Sequence, residues 1–444
     1  MATRPARYIY AVDRTEVYPD RRKRIVNVPD HGDLTIKFLS SQPPYNHVVT
    51  RDFPIFIEKY GHLDHLIIMV THEALKLIDH NYVRGQDFEL IIDEDPKLWL
   101  SGTMDLDASR PFWAATYDLE PLGEGFSRLA IRGDGPSLMS ITRDELTQGL
   151  ARFHNRVRRG NVVVDLGSWA DLSTRLRLNY FTIWDVRDLT AYVGVTILAN
   201  AFDRLVSAHL IRTLYPEIEL RPLDLGRDEA WAPRDLHINY VAHDHVAGSH
   251  FFGKTDEGEA AVLAWAKWVE GMVTDRNHFY AANKSRRLDL PGVQVSPKIA
   301  GTNAYRDLTE CSILYSAKAS PAENSMFASL TNGAIDREAV RRDREFEDLI
   351  QIVFRSSLRV AQDTRPVTVN VYDRDQAEFL QTYFRDAGFP FATTLTHHDI
   401  GVRKAKAKPG PKPRAKAPIS AAERAKAYRI RKKAGTISKP DSAR

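Results

Sequence analysis

Two uninterrupted aliphatic runs, His65-Leu-Ile-Ile-Met-Val70 and Leu90-Ile-Ile92, most constrain what this chain can fold into. A strand buried on both faces is continuously apolar rather than alternating, which is the habit of parallel sheets covered by helices. Between the runs, Thr71-His-Glu-Ala-Leu-Lys-Leu-Ile-Asp79 suits a helix with Thr71 as N-cap. A third run, Tyr8 to Val12, comes earlier, and the charged stretch Asp20-Arg-Arg-Lys-Arg24 after it suits a surface helix. Strand, helix, strand in this order predicts an α/β fold of parallel sheets with crossover helices.

The Leu90 run stops abruptly at Asp93-Glu94-Asp95-Pro96. In open α/β sheets ligands bind at the C-terminal ends of the strands. An NTPase needs an Asp there to hold Mg²⁺ and a second acid to orient or deprotonate water. The same residues also make an ordinary polar turn, since Asp and Pro are common turn formers. On this stretch alone both readings stand.

The 444 residues suffice for two or three domains. With 43% hydrophobic and 27% charged residues, the composition is that of an ordinary globular protein. No apolar run approaches the roughly 20 residues that span a bilayer, and the N-terminus has no signal-peptide h-region. A single cysteine, Cys311, excludes an internal disulfide and a cysteine-rich zinc site. The expected setting is cytoplasmic. The net charge of +4 is unevenly spread: residues 402 to 444 hold 15 Lys/Arg against 2 Asp/Glu, so a mildly acidic body carries a basic tail.

Residues 101 to about 160 read as an insertion in a first domain covering residues 1 to 230. The sheet is expected to resume at Asn161-Val-Val-Val-Asp165 and at Val193-Gly-Val-Thr-Ile-Leu-Ala-Asn200. A second α/β domain, residues 231 to 400, is expected from strands at 237 to 241, 278 to 282, 311 to 315 and 367 to 372. Helices are expected at 257 to 273 and 375 to 387. The stretch from Phe346 to Arg359 fits one more helix, on which Gln351, Arg355 and Arg359 stand at i, i+4 and i+8 and share a face.

The segments Tyr8 to Arg14, Val70-Thr-His-Glu-Ala-Leu75 and Leu90 to Pro96 resemble, in order and spacing, motifs Ia, Ib and II of superfamily 2 helicases of the DEAD/DEAH type. That resemblance implies two RecA-like domains with ATP and Mg²⁺ between them and nucleic acid as partner, DNA ahead of RNA. It implies that Asp93 holds the nucleotide's Mg²⁺, that Glu94 activates water, and that Thr71 and His72 lie toward the nucleic-acid track. The run ending at Asn200 stands where the family has motif III. Ala300-Gly-Thr-Asn303 stands where it has motif V, with Gly301 allowing close backbone approach and Asn303 available to phosphate or ribose. Gln351, Arg355 and Arg359 then match motif VI, whose arginines stabilise charge on the transferred phosphoryl group. Asp95-Pro96 departs from the family's usual Ala-Asp or Ala-His.

The family's glycine-rich phosphate loop is expected ahead of the Tyr8 strand, and only seven residues stand there. Three readings compete: a shortened product, a decayed helicase core, or a substitute loop at Gly248-Ser-His-Phe-Phe-Gly-Lys-Thr255. The last satisfies the P-loop spacing but sets two bulky phenylalanines in the loop, and it also reads as a plain surface segment. A parallel sheet short of one strand should leave apolar surface uncovered.

In the tail, Lys404, Lys406, Lys408, Lys412 and Arg414 are interleaved with Pro and Ala, a composition that cannot build a core. Ser420-Ala-Ala-Glu423 is a capping box that opens a basic helix carrying Arg429, Arg431, Lys432 and Lys433. Such a cluster neutralises phosphates regardless of sequence. Two functions follow: a nucleic-acid-dependent ATPase of helicase type, or a non-hydrolysing DNA-binding protein built on a helicase core and bound through its tail.

Overall fold

The computed structural model describes residues 1, 3–29, 32–105, 110–123, 125–160, 162–165, 177–223, 230–283, 288–298 and 303–403. The first sheet is formed by β1 (Arg7–Val12), β2 (Thr35–Leu39), β3 (Leu66–Thr71), β4 (Phe88–Asp93) and β10 (Gly194–Leu198), all parallel, in the order β10-β4-β1-β3-β2. Its register sets Ile9 beside Leu90 and Ile68, so the apolar runs stack across the sheet. On one face Ile9, Ile68, Leu90 and Ile92 pack with the helices Val49–Tyr60 and Val206–Leu214. On the other face Tyr8, Tyr10, Val12 and Met69 pack with Tyr18 and Ile25 of the helix Tyr18–Val26. The second face is why the charged stretch after β1 is held against the sheet.

β10 hydrogen-bonds to β4 alone among the described strands, and Val193 and Val195 are exposed along that edge. The parallel sheet thus has an apolar border where an open strand faces solvent.

An antiparallel sheet, β5 (Trp99–Asp105), β6 (Tyr117–Gly123), β7 (Phe126–Ile131), β8 (Val162–Asp165) and β9 (Arg177–Ile183), interrupts the first sheet between β4 and β10. It extends well past the expected limit near residue 160. The Val162 run belongs to it rather than to the parallel sheet. The reason is burial on both sides: Val163 lies in the core of the first sheet, while Val162 and Val164 lie in a separate cluster around Trp113 and Phe153. A strand covered on both faces is continuously apolar whichever way its neighbours run.

The second parallel sheet contains β11 (Arg234–Tyr240), β12 (His278–Ala282), β13 (Val293–Val295), β14 (Glu310–Leu314), β15 (Val367–Asn370) and β16 (Phe391–His397), in the order β13-β12-β14-β15-β11-β16. The helix Asp256–Glu270 buries Trp265 against this sheet, and Arg374–Asp386 buries Leu380 and Phe384. Between β14 and β15 the chain returns to the first sheet, where Met326 and Phe327 of the helix Pro321–Leu330 and Val340 of Arg337–Arg341 join the first core. This shared core ties the two sheets together.

The helix expected after β3 is only one turn, His72–Leu75, capped by Thr71 Oγ1 accepting from Ala74 N at 3.1 Å. The helix expected from 346 to 359 is displaced. A helical run from Arg337 passes through a π-helical turn, Arg342–Phe346, into Glu347–Val353 and stops. Ser356 then caps a separate 3₁₀ turn, Ser357–Arg359.

Candidate functional site

The C-terminal ends of β4 and β10 face the helix Glu347–Val353 and the segment following it, and a cleft lies between. A cavity of about 260 Å³ is lined by Arg21, Glu94 and Asn200 from the first sheet's side and by Glu347, Gln351, Arg355, Arg359 and Tyr383 from the second. A neighbouring cavity of about 210 Å³ shares Glu94, Asn200, Glu347 and Gln351 and adds Asp13, Arg14, Lys97 and Lys298. Glu94, Gln351, Arg355 and Arg359, more than 250 residues apart at the extremes, therefore line one space. Gln351, Arg355 and Arg359 reach it although no single helix carries them.

The loop leaving β4 is conformationally strained. Glu94 has φ +74° and Lys97 φ +49°, and across the mouth of β10 Ala201 has φ +45°. Non-glycine residues rarely adopt this region, and surrounding contacts must enforce it. Glu94 N donates to Leu198 O of β10 at 2.9 Å, and His72, buried just past the end of β3, bonds Asp93 O through Nε2 at 2.9 Å. Asp95 accepts from Lys97 N at 3.0 Å and pairs with Lys97 Nζ at 3.0 Å. Lys97 Nζ also reaches the buried Asp343 carboxylate of the π-helical turn at 3.1 Å, and Asp343 accepts from Val206 N. The acidic loop is thereby pinned to both halves of the molecule.

Asp93 is not directed at open solvent. Its Oδ2 pairs with Arg21 Nη2 at 2.7 Å and accepts from the Tyr10 hydroxyl at 3.0 Å. Glu94, by contrast, lines the cleft, and its carboxyl is held above the usual range by burial and by the Asp93 and Asp13 charges, which Arg355 and Arg21 offset in part. Glu347 is raised to about 7 by burial, although Asn200 Nδ2 donates to it at 3.2 Å and Gln351 Nε2 at 3.4 Å. Asp348 is raised to about 6 by burial, with Tyr315 OH donating to it at 2.6 Å. Arg355 is buried and pushed down to about 10 by that burial and by the Arg359 charge. Arg359 is lowered by partial desolvation and by Arg24 and Arg21. Three guanidiniums, Arg21, Arg355 and Arg359, thus line the cleft from its two sides, with Arg24 near Arg359, an arrangement that an anion relieves.

Other expected positions fall elsewhere. His72, expected toward nucleic acid, is buried and holds the backbone beneath Asp93, and Thr71 is the cap of the short helix. Asn303 is exposed in a turn and is not among the cleft-lining residues. Gly301, Lys404, Lys406, Lys408, Lys412, Arg414, Arg429, Arg431, Lys432 and Lys433 lie outside the described residues. The Gly248 segment is the short helix Ser249–Lys254 with Phe251 and Phe252 buried, and Phe252 N is engaged by Gly248 O. Its amides are therefore not gathered into a phosphate cradle. Arg21, Tyr10, Lys97, Glu347 and Asp343 are the site residues that the sequence did not single out, whereas Asn200 ends the run that stands in the place of motif III.

The donor set accommodates phosphates better than a divalent cation. Arg21, Arg355 and Arg359 suit phosphate oxygens. One Asp93 oxygen, Oδ2, is already held by a guanidinium and a phenol. No group of three or more His, Cys, Asp or Glu placed to ligate a metal occurs among the described residues. As arranged, the residues do not fit Mg²⁺ at Asp93.

No protein-family model matches the chain, and no curated protein matches it. Among solved structures, one named XPD_APO is similar over 89% of this chain and 92% of its own, at 11% identity and a TM-score of 0.51. Another, named XPD_Helicase, is similar over the same shares at 11% identity and a TM-score of 0.50. The likeness lies in the fold: two parallel, RecA-type sheets flanked by helices, the helicase-like α/β architecture. Among the described residues no helix is long and apolar enough to cross a membrane.

Proposed function

We propose that this chain is a nucleic-acid-binding protein of helicase type whose interlobe cleft takes the phosphates of a nucleoside triphosphate, ATP foremost, as a ligand. The observation that carries the reading is the convergence of Arg21, Arg355 and Arg359 on the cavity that Glu94 and Gln351 also line. Residues 1–230 and 231–400 serve as the two RecA-like domains, and the basic segment 401–444 supplies sequence-independent contacts to the nucleic-acid backbone, DNA ahead of RNA. The fold shared with a protein named as a helicase supports the nucleic-acid partner. In this reading phosphate binding draws the two sides of the cleft together, and the chain does not turn the nucleotide over by itself.

A second reading, a nucleic-acid-dependent NTPase, is favoured by Glu94. It faces the cleft from the first sheet's side, beside Asp93, and its raised pKa suits a group that takes a proton from water. That reading requires Arg21 to release Asp93. ATP hydrolysis measured with and without single-stranded and duplex DNA separates the two. The first reading expects nucleotide and DNA binding without hydrolysis. DNA-stimulated hydrolysis that Glu94→Gln abolishes establishes the second.

A further inference from the structure

The positive charge at Asp93 comes from the protein itself. Arg21 Nη2 meets Asp93 Oδ2 at 2.7 Å, and the Tyr10 hydroxyl donates to the same oxygen at 3.0 Å. Arg21 is held there by the packing of its own helix, whose Tyr18 and Ile25 are buried against β1 and β3. Its Nε is buried with no acceptor among the described residues, a donor for which an arriving oxygen would be a partner. Arg355 and Arg359 face the same cavity from the other side. A divalent ion entering here would have to displace a charge-assisted hydrogen bond and sit among three guanidiniums.

We infer that Arg21 is the resident cation of this site and that the cleft binds polyphosphate without a divalent metal. The inference rests on the reading of the cleft as a phosphate site and adds to it the metal requirement. The chemistry is that of a fixed guanidinium bridging a carboxylate and a phosphate: Nη2 stays on Asp93 while the remaining donors turn to phosphate oxygens. Arginine has five N–H donors in a rigid fork and is suited to both partners at once. Tyr10 donates to the same Asp93 oxygen and helps to keep the carboxylate in place.

The test is calorimetric titration of the full chain with ATP, once in excess EDTA and once in excess MgCl₂. Dissociation constants that agree within about threefold are expected, a difference below about 1 kcal/mol. Arg21→Ala should weaken ATP binding in EDTA by about tenfold or more, with MgCl₂ restoring part of the loss because the metal gains access to Asp93. Arg21→Lys, which keeps the charge, should retain metal-independent binding, and thermal melting checks that each variant is folded. Wild-type binding that needs MgCl₂ overturns the inference and leaves the phosphate cleft standing. Absence of ATP binding in both conditions overturns the cleft reading and this inference with it. The wild-type comparison decides the matter even if a variant does not fold.

Discussion

Asn200, just past the end of β10, donates its side-chain amide to Glu347 across the cleft at 3.2 Å, and Glu347 is an acid whose pKa is pushed up to about 7. The same Asn200 accepts from the Tyr383 hydroxyl at 3.4 Å, so one amide links the first sheet to two helices of the second. The hydrogen bonds favour the carboxylate, but burial outweighs them. The cleft therefore carries a titratable group at its seam. Because its folded pKa lies above the ordinary 4.5, the folded state holds more protons between those values, and stability contributed by Glu347 falls as pH rises through about 7. Glu347→Gln is expected to be more stable than wild type at pH 8, by up to about 3 kcal/mol, and to lose that advantage below pH 5. Urea denaturation across the pH range measures this difference directly.

Glu347 also bears on ligand binding. Once ionised it opposes any phosphate in the cleft, so ATP affinity in the wild type should decrease as pH rises from 6 to 8. Glu347→Gln should flatten that dependence and bind more tightly at pH 8, by a factor of a few to about ten. Titrations at matched ionic strength check the prediction, since salt screens both effects.

Lys97 bridges Asp95 and the fully buried Asp343 and so holds the strained loop after β4 to the π-helical turn. Removing one partner of a buried ion pair leaves an uncompensated charge and costs about 3–5 kcal/mol, less where one partner reaches solvent as Lys97 does. Lys97→Ala should therefore lose on the order of 2 kcal/mol in chemical denaturation. The double variant Lys97→Ala with Asp343→Ala should lose less than the two single losses added together.

Val402, the last residue of the first compact unit, is buried against the second sheet. Removing residues 404 to 444 should thus leave the melting temperature unchanged while weakening binding to DNA of any sequence. It should also reduce the slope of log affinity against log salt, by about 0.9 for each DNA phosphate that the basic tail neutralises. Filter binding at several salt concentrations reads both quantities.

Much of this architecture is legible because parallel strands buried on both faces write themselves as unbroken aliphatic runs. β1, β3 and β12 are buried almost throughout and stand out as apolar runs, whereas β10, apolar too, lies exposed or half-buried at the edge of its sheet. The same rule misplaces β8, since Val162, Val163 and Val164 are also buried on both sides, between two cores of a different sheet. β13, three residues long, and β16, an edge strand that alternates between half-buried and exposed, leave no such run. At the site, Glu94, Gln351, Arg355 and Arg359 are visible as a motif, although the helix expected to align the last three ends at Val353. Arg21 is hidden inside a run of four consecutive basic residues that reads as a solvated face. Which of them turns inward depends on how Tyr18 and Ile25 dock the helix onto β1 and β3, a tertiary fact. His72 misleads in the opposite sense: a polar residue after a strand suggests exposure, but it is buried to hold the Asp93 carbonyl.

The central claim is that the arginine side of the cleft recognises phosphates, and calorimetric titration with ATP and with adenosine, for wild type and Arg355→Ala, tests it most directly. The account predicts that wild type binds ATP at least about tenfold more tightly than adenosine and that Arg355→Ala, still folded by thermal melting, loses most of that preference. Equal affinity for ATP and adenosine, or an unchanged preference in Arg355→Ala, would contradict it.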